Sequence, residues 1–189
     1  MPSLPPGRIG GDGLRALLWL VDRLNLVLTY VIGLLLAVMT LAVFTQVMVR
    51  FVLTTAGINL SAAWTEEVAR YVLIWIVFLG AGIGCRKRQL ISLEFIVRAL
   101  PSLPGQGLVH LGLLVCLGFF GLLISVGLAF MELGAVEASP VMQIPKAWVY
   151  AAMPAGAALM ILNTAALMAE SLLDRRDIRA IGATTEGVE

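Results

Sequence analysis

The sequence predicts an all-α integral membrane protein with four transmembrane helices and short interfacial amphipathic helices. Of its 189 residues, 60% are hydrophobic and only 13% are charged, and the mean hydropathy is +0.96. Soluble globular domains carry roughly 45–50% apolar and roughly 25% charged residues. Several apolar runs reach the roughly 20 residues that a helix needs to cross a bilayer. We therefore expect a single four-helix membrane domain over residues 1–189, without a separate soluble domain.

Helical periodicity and chain breakers place the four spans. We expect them at about 24–53, 61–85, 107–131 and 147–169. Residues 1–13 form a loose leader rich in proline and glycine, and residues 171–189 form a polar tail. The amphipathic segments at about 14–23 and 90–100 are expected to lie in the interface plane. Pro154 is expected to kink the last span, because proline removes a helical hydrogen bond.

The basic residues predict the orientation of the spans, because cytoplasmic loops carry an excess of Lys and Arg. One side of the membrane holds Arg8, Arg15, Arg23, Arg86, Lys87, Arg88, Arg98, Arg175, Arg176 and Arg179. The other side holds only Arg50, Arg70 and Lys146. This bias places both termini and a basic loop of Arg86, Lys87 and Arg88 in the cytoplasm. The basic residues form no continuous patch, so we expect no nucleic-acid partner. The apolar spans indicate that the chain is surrounded by membrane lipids.

The second span carries the most unusual pattern in the chain. At about 100° per residue, a helix there has an aromatic packing face. That face consists of Trp64, Tyr71, Trp75 and Phe78. The roughly opposite side carries a small-residue packing surface of Gly80, Ala81 and Gly84, which includes a GxxxG spacing. A helix that faces only lipid needs neither surface, so we expect protein on both sides of it.

Charged residues at the start of the second span need partners, because a charge at mid-helix costs about 2.5–3.5 kcal/mol to insert. Arg70 lies one turn after Glu66 and Glu67 and can offset one of these carboxylates. Arg50, on the same side of the membrane, is the candidate partner for the other. The four residues form either an intramolecular clamp between the first two spans or a docking site for a second polypeptide.

The sequence contains no recognisable catalytic, cofactor or metal constellation. It lacks the GxxxxGK[ST], HExxH and GxSxG motifs. His110 is the only histidine, and Cys85 and Cys116 are expected to be packing residues in apolar runs. Asn163 is expected to form an interhelical hydrogen bond worth about 1 kcal/mol. We therefore expect no enzyme activity and no cofactor, and we find no transport site in the spans.

Three strings in the chain resemble one known family. They are Gln46-Val-Met-Val-Arg50-Phe, Ser61-Ala-Ala-Trp64-Thr-Glu66-Glu67-Val-Ala-Arg70-Tyr71, and Ile74-Trp75-Ile-Val-Phe78-Leu-Gly80-Ala81. They resemble the DctQ-type small permease subunit of tripartite ATP-independent periplasmic (TRAP) transporters, and the likeness extends over nearly the whole chain. Leu90 stands where this family often has a histidine, and Glu94 stands where the family has a following aspartate.

The resemblance implies a non-catalytic, multi-pass subunit of the bacterial inner membrane. Its partners would be a large TRAP permease subunit, which carries the substrate and sodium sites, and a periplasmic substrate-binding protein that delivers an organic acid. The small subunit would brace the large one within this sodium-coupled transporter. The residues also leave open an alternative, a small homo-oligomeric four-helix transporter or channel that acts alone.

Overall fold

The computed structural model describes residues 11–53, 55, 57, 62–87 and 102–174. The predicted leader up to residue 10, the predicted interfacial helix at 90–100 and the predicted tail beyond residue 174 lie outside these residues. Within the described residues the secondary structure is helical, apart from one isolated antiparallel bridge between Ala138 and Pro145.

The described chain forms five α-helices. They are α1 (Gly11–Val47), α2 (Ala63–Arg86), α3 (Ser102–Ala135), α4 (Ala147–Tyr150) and α5 (Ala152–Asp174), and a π-helical turn (Met48–Leu53) continues α1. Four stretches in this part of the chain are long and apolar enough to cross a membrane. They are Gly13–Leu53, Ala63–Arg86, Leu111–Ala135 and Ala147–Glu170. The predicted all-α class and its four spans are confirmed.

The first helix is longer than the sequence predicts. α1 runs without interruption from Gly11, so segment 14–23 belongs to the same helix as the first span. No proline or glycine between Gly13 and Gly33 breaks the backbone there. Asp22 and Asn25, which lie at the junction, both bond to other helices. Those bonds hold this part of α1 against the rest of the chain.

The fourth span is interrupted close to its start. α4 ends at Tyr150 and α5 begins at Ala152. Pro154 has no N–H to donate to the carbonyl of Tyr150 four residues earlier, so the helical ladder loses a bond at that point. The disturbance expected from Pro154 therefore falls on the turn that precedes it.

The helix α5 lies at the centre of the arrangement. It packs against α2 and against α3, while α1 packs mainly against α2. Half of the most apolar part of the α4–α5 span is buried inside the chain, compared with 6% for the α1 span. The helices α1 and α3 consequently present wide apolar faces to their surroundings.

Glycines bring the central helices close together, but they are not the glycines that the sequence predicts. A Cβ on Gly156 would lie 2.8 Å from the carbonyl oxygen of Phe78, and a Cβ on Gly82 would lie 2.5 Å from Cδ2 of Leu159. A Cβ on Gly80 would meet no atom within 4 Å. The closest helix contacts of α2 therefore do not use the first glycine of the GxxxG spacing.

The other two members of the predicted small-residue surface do lie against the chain. Gly84 is buried, and Ala81 packs against a cluster of Cys85, Phe120 and Met160. Cys116 also packs there, so both cysteines are packing residues as expected. The predicted surface is thus divided, with only its Gly80 position facing open space.

Candidate interface sites

Glu66 and Arg70 form the predicted ion pair within α2. Nη2 of Arg70 lies 3.1 Å from Oε1 of Glu66, and the side chains are 66% and 59% exposed, respectively. The other oxygen of Glu66 accepts a hydrogen bond of 3.3 Å from Nε2 of Gln46 on α1. The first two spans are therefore linked at this end, through an amide and an exposed carboxylate.

Arg50 stands apart from that pair, which corrects the predicted clamp. It lies in the π-helical turn, and its guanidinium carbon is 5.8 Å from the ring centre of Phe51. Within the described residues it makes no ion pair with Glu66 or Glu67. Both carboxylates have other donors, so neither needs Arg50 as a counter-charge.

Glu67 is the carboxylate that Arg70 does not pair with, and its side chain is buried, with 7% exposure. One oxygen accepts hydrogen bonds from the backbone N–H groups of Met142 at 3.0 Å and Val141 at 3.2 Å. The other accepts a bond of 2.5 Å from the hydroxyl of Tyr71. Three neutral donors thus satisfy the charge without a cation.

The backbone at residues 136–146, which we call the 136–146 loop, is tied together by its own hydrogen bonds. The N–H of Ser139 donates to the carbonyl of Ile144, and the N–H of Lys146 donates to the carbonyl of Glu137, both at 2.9 Å. Nζ of Lys146 donates to the carboxylate of Glu137 at 2.9 Å, and this bond raises the pKa of Lys146. The loop is a closed hairpin-like turn packed on the first turns of α2.

The predicted aromatic packing face does not act as one surface. Tyr71 bonds to Glu67, and Phe78 packs against Gly156 and the cluster around Phe120. Trp75 is partly buried, and Trp64 is half exposed. Tyr71 and Phe78 therefore serve the chain itself, and Trp64 is the member most available to a partner.

A second ionic site lies at the opposite end of α2 and is centred on Arg86, which was expected to lie in a basic loop. Arg86 is the last residue of α2, and its side chain is 14% exposed. Its Nε lies 3.0 Å from Oδ1 of Asp22 on α1, and its Nη1 lies 2.6 Å from Oε2 of Glu170 on α5. Arg86 thus joins three helices, whereas Lys87 is an exposed turn residue and Arg88 lies outside the described residues.

A buried amide pair lies next to this ionic site. Asn25 and Asn163 exchange hydrogen bonds of 2.6 and 2.9 Å, and Asn163 also donates to the carbonyl of Gly82 at 2.8 Å. The interhelical bond expected of Asn163 is confirmed, and it links α1, α2 and α5. Asp22, Asn25 and Glu170 were missed, although opposite charges at matching span ends are a signal that could have found the two acids.

A cavity of about 190 Å³ lies beside the Glu67 site. It is lined by Ala63, Glu66, Glu67, Arg70, Tyr71, Pro140 and Val141. Among the described residues, no group of three or more His, Cys, Asp or Glu side chains could hold a metal ion. Most polar side chains discussed for the described residues therefore bond to other groups of the same chain, and the exposed pair of Glu66 and Arg70 lies beside a small cavity.

Four apolar spans with these internal contacts define the chain as a multi-pass helical membrane protein. Residues 39–174 match the family model described as "Tripartite ATP-independent periplasmic transporters, DctQ component". The match covers most of the sequence, and the chain belongs to this family of TRAP transporter small permeases. The resemblance seen in the sequence is thereby confirmed.

Three named relatives are similar to parts of the chain. A protein named as a TRAP transporter small permease from Haemophilus influenzae is 36% identical over 74 residues, which are 39% of this chain and 42% of that protein. The isethionate TRAP transporter permease protein DctMQ of Oleidesulfovibrio alaskensis is 31% identical over 54% of this chain and 16% of its own length. The C4-dicarboxylate TRAP transporter small permease protein DctQ of Rhodobacter capsulatus is 28% identical over 57% and 47%, respectively. The chain thus spans less than half of the length of these relatives.

Proposed function

We propose that this chain is the small membrane subunit of a sodium-coupled TRAP secondary transporter. In this role it braces a large permease subunit during uptake of an organic acid that a periplasmic binding protein delivers. The DctQ family match supports the general role in TRAP transport. The bracing role, the coupling ion and the substrate class are our proposal.

The observation that carries the bracing role is the way the spans use their polar side chains. The hydroxyls of Thr29, Thr40 and Thr45 each donate to a carbonyl one turn earlier in α1, and Ser125 does the same in α3. The side chain of Asn163 forms hydrogen bonds to groups on two other helices. Transport sites need polar groups that converge near the midplane and remain free for the solute. Since the hydroxyl protons and the Asn163 amide are engaged within the chain, we place the solute site on another subunit.

The relatives support the partner and the substrate class. The much longer relative named DctMQ contains a segment similar to this chain, which favours a small subunit associated with a larger permease. Two relatives carry the names of isethionate and C4-dicarboxylates, both of which are organic acids. We infer an organic acid for this system as well.

The bias of basic residues supports an orientation with the Arg86 end and both termini in the cytoplasm. The family relationship favours the bacterial inner membrane, and the Glu67 end then faces the periplasm. No catalytic step and no cofactor is assigned to the chain. Its exposed pair Glu66 and Arg70, together with Trp64, is proposed to contact the large subunit.

Purification with a tagged large permease subunit tests this function. We expect the untagged chain to be recovered with its partner, and a Thr40→Ala variant to be recovered equally well, since Thr40 bonds only its own helix. In liposomes with a sodium gradient and binding protein, acid uptake should need both membrane subunits. Uptake by this chain alone would support the homo-oligomeric transporter and contradict the bracing role.

A further inference from the structure

We propose that the 136–146 loop is a preformed contact surface for the large permease subunit, and that Glu67 is the positioning residue which holds it in shape. This inference rests on the proposed function, because it requires a large subunit to exist. It adds a surface outside the spans and assigns a role to Glu67, which the sequence placed in an ion cluster.

The carboxylate of Glu67 on α2 holds the loop in one conformation. Glu67 is 7% exposed and accepts hydrogen bonds from the backbone N–H groups of Val141 and Met142. The hydroxyl oxygen of the buried Ser139 accepts a hydrogen bond of 3.3 Å from the N–H of Ile144. A surface ordered before binding loses less conformational entropy when a partner docks. The buried carboxylate therefore prepares the loop for contact.

The outward side of this ordered loop carries several exposed apolar side chains beside the polar Glu137 and Gln143. Val136 is 87% exposed, and Val141 and Met142 are both exposed next to the backbone groups that Glu67 holds. Trp148, at the start of the following helix, is also exposed. Apolar side chains on a rigid, non-helical loop are typical of a protein contact surface.

The position of the loop favours a membrane-embedded partner over lipid or a soluble protein. Phe130 and Leu133 are exposed on the last turns of α3, so the apolar surface continues from that span onto Val136 and the loop. Lipid chains can cover the helical part, but the third span ends at Ala135, so the loop lies beyond the hydrocarbon that would cover its apolar side chains. A soluble protein can reach the loop but not the span. A large permease subunit can cover both at once.

The adjoining cavity gives this contact a specific feature. Its volume of about 190 Å³ exceeds the roughly 150 Å³ that holds a benzene molecule in an engineered protein cavity. Tyr71, Pro140 and Val141 line it together with the exposed ion pair of Glu66 and Arg70. The cavity is open on one side and has room for one apolar side chain of the large subunit.

Photocrosslinking in the assembled complex tests the surface. The chain is produced with a benzoylphenylalanine in place of Val141 and is purified with the tagged large subunit. We expect irradiation to join the two subunits. The substitution Glu67→Gln should lower the crosslinked yield about tenfold, the effect of losing a hydrogen-bonded charged acceptor. The matched variant Glu132→Gln should leave the yield unchanged, since Glu132 is exposed on α3 and makes no hydrogen bond to the loop within the described residues.

Hydrogen exchange on the purified small subunit separates the shape of the loop from its docking. Glu67→Gln should speed exchange of the Val141 and Met142 amides by about tenfold, because those amides lose their charged acceptor. The double variant Val141→Ser and Met142→Ser should leave exchange at Ser139 and Ile144 unchanged, yet lower recovery of the large subunit severalfold. The first variant therefore tests the positioning role, and the second tests the contact.

Three outcomes would overturn the inference. Unchanged exchange in Glu67→Gln removes the positioning role, and a crosslink to the binding protein or to lipid alone removes the large subunit as occupant. If the wild-type chain is recovered with the large subunit but Val141 gives no crosslink, the loop surface is wrong while the bracing role stands. If the wild-type chain is not recovered with it at all, the proposed function and the inference fail together.

Discussion

The two ends of α2 use their charged residues in different ways. At the Arg86 end, one largely buried guanidinium bonds to carboxylates on two other helices, and a buried amide pair joins the same three helices. At the Glu67 end, the ion pair of Glu66 and Arg70 lies within one helix and is exposed. The buried carboxylate there holds a loop instead of a helix.

This difference suggests that one end of α2 stabilises the chain and that the other end contacts a partner. Glu67 and Arg86 lie 19 residues apart, which is about 28 Å along a helix and close to the roughly 30 Å thickness of the hydrocarbon core. The two sites therefore lie near the two surfaces of the membrane. We infer that the Arg86 end holds the helices together, whereas the Glu67 end keeps its polar and apolar groups available to a partner.

The largest expected effect in this comparison comes from Arg86→Ala. The variant leaves the carboxylates of Asp22 and Glu170 without their counter-charge. Removing one partner of a buried ion pair costs about 3–5 kcal/mol, and we expect roughly 2–4 kcal/mol here because Asp22 is more than half exposed. The free energy of unfolding can be measured by circular dichroism during SDS titration of the purified chain in mixed micelles.

Arg23→Ala is the matched control at the same end. The Arg23 guanidinium lies 5.3 Å from the ring centre of Trp19, a contact worth about 0.5–1 kcal/mol at an exposed site. If the two variants lose equal stability, loss of positive charge would explain the effect and Arg86 would not be the junction of three helices.

A second prediction concerns the close packing of α2 against α5. Gly156→Ala places a methyl group 2.8 Å from the backbone oxygen of Phe78, which cannot move without shifting α2. Overpacking of this kind costs about 1–3 kcal/mol. Gly80→Ala should be neutral or slightly stabilising, because its methyl group enters open space and alanine favours helix. The same SDS titration measures both.

The glycine variants also test whether the Arg86 junction or the packing of α2 against α5 contributes more to the stability of the chain. If Gly156→Ala destabilises the chain more than Arg86→Ala does, the central packing and not the ionic junction would be the main source of stability. If Gly80→Ala is the more harmful variant in the isolated chain, the GxxxG spacing has a role within the chain that its open surroundings do not reveal.

The fold could be predicted because its signals are local. Apolar runs of span length and the breaks between them are properties of neighbouring residues, and all four spans follow from them. The pair of Glu66 and Arg70 is predictable for the same reason, since residues four apart share one face of a helix. The segment at about 14–23 was expected to be a short interfacial helix that feeds into the first span, and it is instead part of the same helix, because amphipathic character alone does not end a helix.

The remaining contacts could not be predicted because they join residues far apart in the chain. Glu67 bonds to backbone N–H groups 74 and 75 residues away, and a backbone donor leaves no mark on the type of side chain. Arg86 pairs with Asp22, 64 residues earlier, and Asn163 pairs with Asn25, 138 residues earlier. Which of several small residues packs tightly also depends on the rotation of each helix, and a repeat of glycines does not specify that rotation.

The smallest expected effect, Arg70→Ala, bears most directly on the role of the Glu67 end. Removing one member of an exposed pair four residues apart should change the unfolding free energy of the isolated chain by only about 0.3–0.5 kcal/mol. Recovery of the chain with the large subunit should fall severalfold in the same variant if this pair contacts the partner. A loss of stability near that of Arg86→Ala would mean that Arg70 holds the helices together, and the proposed division between a stabilising end and a contact end would be wrong.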